Sequence, residues 1–157
     1  MTISTDAALW KPHVVAATVV ERDGRFLCVE ECIDGHTVIN QPAGHLDPGE
    51  TLLTAAARET LEETGWAVAI TSLIGVYLLE TAIAGKTFLR FCFAATPVSF
   101  DPQRVLDREI VRTHWFDRIE LAACAPRHRS QLVLRAVDDY LAGERYPLSL
   151  LHAFLRD

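Results

Sequence analysis

Apolar and polar positions along the chain form short β-like runs interrupted by two helical patterns. Between His13 and Glu21 the run VVAATVV is β-branched and apolar throughout, which predicts a buried strand. Asp23-Gly24 supplies a turn, and Arg25 to Cys32 (RFLCVEEC) returns as a second strand, so a hairpin is expected. Asp34-Gly35 marks another turn before the short stretch His36 to Ile39. Asn40 to Pro48 reads as a loop whose path is restricted by Pro42 and Gly44. Ala67 to Thr81 is apolar enough for one or two strands, Ala84-Gly85-Lys86 is a turn, and Thr87 to Val98 is a further strand. After a polar connection, Asp101 to Asp107, another strand is expected over Ile110 to Phe116. Asp117 then caps a short helix running through Cys124. Apolar positions at Leu132, Val133, Ala136, Val137 and Leu141 predict a helix over Arg129 to Ala142, ended by Gly143. Residues 1–11 read as a loose arm, and the tail from Arg145 to Leu155 is apolar enough to pack back on the body. Strands, helix, strands, helix predict one α/β domain over residues 1–157, with a mixed sheet between helices.

The chemistry is concentrated in Gly44 to Trp66, GHLDPGETLLTAAARETLEETGW. Thr51 suits an N-cap, Ala55 to Ala57 are strong helix formers, and Gly65 stands where a C-terminal glycine stop belongs. At about 100° per residue, Leu53, Ala56, Ala57, Thr60, Leu61 and Thr64 share the stripe expected to face a core. Glu59, Glu62 and Glu63 gather on the other side at i, i+3 and i+4, where like charges repel. The C-terminal end of a helix dipole adds to that cost. Arg58 offsets one of the three. A solvated acidic face is one reading of such a cluster; a bound divalent cation is the other. Oxygen-only donors point to Mg²⁺ or Mn²⁺ rather than zinc. Gly44 belongs where backbone must approach something closely.

Composition narrows the partners. Half of the 157 residues are hydrophobic and 23% are charged, as in an ordinary globular domain. A net charge of −6 argues against a nucleic-acid polymer or a membrane surface as partner. The four cysteines form no C-x-x-C pair, which fits free thiols in a reducing compartment. The N-terminus lacks signal-peptide regions, and the longest apolar run, about Trp66 to Leu79, is too short and interrupted to span a bilayer. A cytoplasmic monomer or simple dimer is expected.

Gly44, five residues, Glu50, seven residues, Arg58-Glu59, two residues, Glu62-Glu63, one residue and Gly65 match the Nudix box at every fixed position. The looser positions differ slightly: Thr60 and Trp66 stand where aliphatic residues are usual. Lys11-Pro12-His13-Val14, Gln41 to Leu46, Phe88 to Phe91 and Arg145 to Leu148 extend the likeness. Through these the chain resembles the NudJ-type phosphatases of the Nudix hydrolase family. That resemblance implies an α/β/α Nudix sandwich and Mg²⁺-dependent release of phosphate from nucleoside tri- and diphosphates and from hydroxymethylpyrimidine pyrophosphate.

Carried over by position, it makes Glu59 and Glu63 the principal metal ligands, with Glu62 a third ligand or the catalytic base. Gly44 would offer its backbone carbonyl to the metal, and Glu50 and Arg58 would orient the carboxylates. Gly65 is structural. Glu62 is the first choice for the base and Glu59 the second. Glu109 is a further candidate, at a place where many Nudix enzymes carry a remote acid; otherwise it is a surface acid beside Arg108 and Arg112. Arg90, mid-strand among apolar residues, is expected to contact phosphate or base, or else to form a buried ion pair. His45 is a candidate substrate contact. The competing readings are a housecleaning hydrolase for oxidised nucleoside triphosphates and a non-catalytic nucleotide-sensing module.

Overall fold

Two pairs of left-handed residues start the fold. Asp23 (φ 52°) and Gly24 (φ 74°) join strand β1 (His13–Arg22) to β2 (Arg25–Ile33). Asp34 (φ 48°) and Gly35 (φ 79°) join β2 to β3 (His36–Asn40). Positive φ at both central residues is what a tight hairpin turn requires, and the Asp-Gly dipeptide supplies it. This computed structural model describes residues 9–81 and 85–156. Residues 1–8 of the expected arm and Ala84 of the expected turn lie outside them.

The expected loop over residues 40–48 is not wholly irregular. Ala43–His45 forms a three-residue strand, β4, antiparallel to β1 in the register Val15↔His45, Ala16↔Gly44, Ala17↔Ala43. Three residues carry no readable periodicity, and the partner is about 30 positions upstream, so only the folded chain reveals this pairing.

Helix α1 (Leu52–Thr64) has the predicted ends. The Thr51 hydroxyl accepts from the Thr54 N–H at 3.1 Å, and Gly65, left-handed at φ 77°, donates to the Leu61 carbonyl. Strands β5 (Trp66–Glu80), β6 (Thr87–Phe100) and β7 (Ile110–Phe116) follow. Asp117 and Glu120 close a capping box on helix α2 (Arg118–Ala123). Helix α3 (Leu132–Leu141) starts three residues later than the pattern predicts, because the Arg129 N–H is bonded to the Ile39 carbonyl at 2.8 Å.

The strands form a mixed sheet in the order β3-β2-β1-β6-β5, with β4 paired to β1 and β7 to β2. β1 and β6 run parallel; the other pairs are antiparallel. α1 covers one face, over Ala16, Leu73 and Phe93. α3 covers the other, with Val133, Ala136 and Val137 packed on Ala17, Val19, Ile74 and Cys92. The architecture is therefore an α/β sandwich. The tail is only partly folded back: Tyr146 bridges to Leu73 and Leu148 and Leu151 pack near α1, whereas Phe154 is 94% exposed.

Candidate active site

β4 has one edge on β1 and one edge free. Leu46 N–H donates to Val14 O and Thr18 N–H to Pro42 O, so the even-numbered residues of this segment face β1. With Ala16 opposite Gly44, strand alternation directs the Gly44 carbonyl to the ladder. Ala43 and His45 face outward instead. The Ala43 N–H donates to Glu63 Oε2 at 2.9 Å, and the His45 carbonyl accepts from Arg58 Nη2 at 3.1 Å. The part played by Gly44 is spatial: a Cβ built there would lie 2.0–2.2 Å from the Glu59 carboxylate. The glycine leaves the gap that this carboxylate occupies.

Glu59 and Glu63 do not lie opposite the core stripe as the helical projection predicts. Both are buried, together with Ala55, Ala56, Thr60 and Thr64. The helix is turned by the need to seat Ala55 and Ala56 on the sheet, and β4 brings polar backbone to the rows that follow. Glu59, Glu63 and Asp107 each place a carboxylate oxygen within 4.8 Å of the others. Asp107 comes from the connection between β6 and β7 and is anchored by its N–H to Glu62 O at 3.1 Å. Nothing periodic marks Asp107 in the sequence. Glu109 is exposed two residues later, and its carbonyl accepts from Cys32 N–H at 2.8 Å; the Asp107 pKa is raised by burial first, then by the charges of Glu62 and Glu109.

Arg58 holds the rim. Its Nε and Nη2 grip Glu50 at 2.7 and 2.9 Å, while Nη1 reaches Glu59 at 2.7 Å and Glu62 at 3.0 Å. This planar fork is work that lysine cannot do. Its bonds hold Glu50 below the usual carboxylate range. Glu62, about one-third exposed, lies outside the carboxylate trio.

Burial has the opposite effect deeper in. It raises Glu59, and it pushes Glu63 up to about 9 despite the Ala43 N–H, with Glu31, Glu59 and Asp107 adding repulsion. Three oxygens converging from carboxylates that resist ionisation together suit a hard divalent cation. The donor set therefore fits a metal site.

Arg90 is 6% exposed and lies on the α3 side of the sheet. Among the described residues it meets no carboxylate; Gln41 Oε1 accepts from Nη2 at 2.8 Å and Asn40 Oδ1 from Nη1 at 3.3 Å. The expected buried ion pair is replaced by two amide oxygens. Beside it, Arg129 is pinned to buried Glu31 at 2.9 Å. His45 lies below the usual histidine range, through burial first and then the charges of His13, Lys86 and Arg129.

Comparison with known proteins identifies the family. A model of the NUDIX domain matches residues 10–135. This chain belongs to the Nudix family. It is 41% identical over 147 residues to the phosphatase NudJ of Escherichia coli K12 and equally to that of Shigella flexneri, covering 93% of this chain and 94% of those proteins. A solved Nudix hydrolase from Nitrosomonas europaea superposes with a TM-score of 0.90 at 47% identity, over 92% of this chain and 98% of that one. A MutT Nudix hydrolase from Burkholderia pseudomallei, 24% identical with a TM-score of 0.71 over 83% of this chain and 98% of that one, shares the fold. This Nudix protein is a hydrolase acting on diphosphate bonds.

Proposed function

We propose that this Nudix hydrolase uses Mg²⁺, replaceable by Mn²⁺, to release phosphate from nucleoside tri- and diphosphates and related small pyrophosphates, hydroxymethylpyrimidine pyrophosphate among them. The observation that carries the reading is the convergence of Glu59, Glu63 and Asp107 within 4.8 Å, with the Glu59 carboxylate seated in the gap that Gly44 leaves. The likeness to the NudJ phosphatases over nearly the whole chain supports the substrate class.

Glu59, Glu63 and Asp107 would hold the cation. When bound, it neutralises phosphoryl oxygens and lowers the pKa of water. The chain's own groups divide the remaining work. Glu62 is the most exposed of the three helix glutamates, and its contact with Arg58 at 3.0 Å orients it to take a proton from the attacking water. Glu50 fixes the Arg58 fork, and Arg58 aims Glu59 and Glu62. Arg90 and Arg129 bring positive charge to an otherwise acidic site, where a polyphosphate needs it.

Phosphate and pyrophosphate release from GDP, GTP, CTP, 8-oxo-dGTP, ADP-ribose and hydroxymethylpyrimidine pyrophosphate tests this, with two variants alongside. Broad orthophosphate release is expected. Glu63→Gln should weaken cation binding and abolish turnover. Glu62→Gln should retain the cation and lower kcat by about 10²- to 10⁴-fold. A strong preference for 8-oxo-dGTP or ADP-ribose would refute the substrate class, and unchanged kcat in Glu62→Gln would refute its role as base.

A further inference from the structure

On the α3 side of β4, one residue from the glycine that touches Glu59, three rings meet across three strands. His13 of β1 and His45 of β4 have ring centroids 5.5 Å apart at 70°, His13 and Phe88 of β6 are 5.2 Å apart at 33°, and His45 and Phe88 are 6.4 Å apart. The registers His13↔Phe88 and Val15↔His45 set this grouping. Both histidines are exposed and Phe88 is half-buried, so the group is a surface rather than part of the core.

A second, independent observation lies beside it. Arg90 follows Phe88 by two residues on the same face of β6, about 7 Å along the strand. Its Nε is buried without a hydrogen-bond partner, and its two anchors are neutral amides. Glu31 and Glu63 act on this cation only from a distance, and a buried donor left without an acceptor is costly unless something acceptor-rich completes it. Lys86 and Arg129 lie near His45 and add positive charge beside the rings.

We propose that His13, His45 and Phe88 form a stacking platform for a planar heteroaromatic ring of the substrate, with Arg90 donating to acceptor atoms on that ring's edge or its linker. The diphosphate would bind at the free edge of β4 through the cation that Glu59, Glu63 and Asp107 would hold, and the ring folds over to the opposite face. The platform makes this enzyme selective for diphosphates that carry a planar ring, over inorganic polyphosphates and alkyl diphosphates. It rests on the hydrolase reading above and deepens it.

Kinetics and NMR on the full chain test it separately. For Phe88→Ala and His13→Ala, the KM for GTP divided by the KM for inorganic tripolyphosphate should rise about tenfold, the loss expected from removing one stacking partner. Phe88→Tyr should keep the wild-type ratio. The His13 and His45 Cε1–H resonances, assigned by His→Gln variants, should move upfield on adding β,γ-methylene-GTP and stay in place with methylenediphosphonate. An unchanged KM ratio together with unmoved resonances overturns the platform while leaving the hydrolase intact. Ring shifts without turnover of any substrate would uphold the platform and refute the hydrolytic reading instead.

Discussion

Gly44 shows how little a residue's own chemistry can reveal of its part. Its backbone is not left-handed, so no turn demands glycine there. The demand comes from Glu59, whose carboxylate fills the volume a Cβ would occupy. Gly44→Ala should displace that carboxylate by more than an ångström. Because misplacement on that scale costs about 10²-fold in rate, kcat/KM should fall by that order while the fold persists. Circular dichroism beside steady-state kinetics checks both halves: full activity in the variant would show that Glu59 need not sit there. Gly44 was legible as a close-approach glycine, but not what approaches it. Asp107 was not legible at all, because a lone aspartate in a polar connection has no periodic neighbour to mark it.

At the scale of the element, α1 reconciles two departures from its sequence pattern. Thr60 stands where a bulky aliphatic residue is usual, and its hydroxyl donates to Ala56 O at 2.8 Å. Its one proton is thereby used, so the fully buried Thr18 on β1 must donate to Thr60 Oγ1 at 2.7 Å. A threonine on the helix is matched by a threonine on the sheet. Thr60→Val should leave the Thr18 donor unsatisfied and cost about 1–3 kcal/mol. Thr18→Val with Thr60→Val should recover most of the loss. Denaturant unfolding of the double-mutant cycle measures this; strictly additive losses would contradict the pairing. Trp66, just past the helix, has its own explanation: it stacks on Phe100 at 4.9 Å, meets Trp115 edge-on, and carries Arg22 at 5.0 Å over its ring. The helix ends, caps and spacing were readable because they are local. Its rotation was not, since the stripe that faces the sheet is chosen by Ala55 and Ala56 packing on Ala16 and Phe93.

Across the whole molecule, an acidic chain concentrates acid where acid is least soluble. Glu63 is raised from the ordinary 4.5 to about 9, chiefly by burial. The folded state therefore holds a proton that the unfolded chain has released. That contribution to stability is fully present below about 4.5 and is lost as pH rises toward about 9. A divalent cation reverses the balance, because binding must expel this proton and then compensates the charge. The expected result is that Mg²⁺ raises Tm more at pH 8.5 than at pH 6.5, and that its affinity rises with pH by up to tenfold per unit. Thermal melts and calorimetric titration at several pH values measure it. A Mg²⁺ affinity independent of pH would show that Glu63 is already ionised without metal.

The sequence by itself determined the longer strands, the Asp23-Gly24 hairpin, the Asp34-Gly35 turn, both main helices and the family-matching set Gly44, Glu50, Arg58, Glu59, Glu62, Glu63 and Gly65. Each depends on local propensity or on spacings within one element, which the order of residues carries directly. Tertiary structure decided the rest: that Ala43–His45 is a strand with a free edge, that Asp107 joins Glu59 and Glu63, that Arg90 is held by amides, and that His13, His45 and Phe88 share one face. Those arrangements depend on the register between strands far apart in the chain, which no local window of the sequence contains.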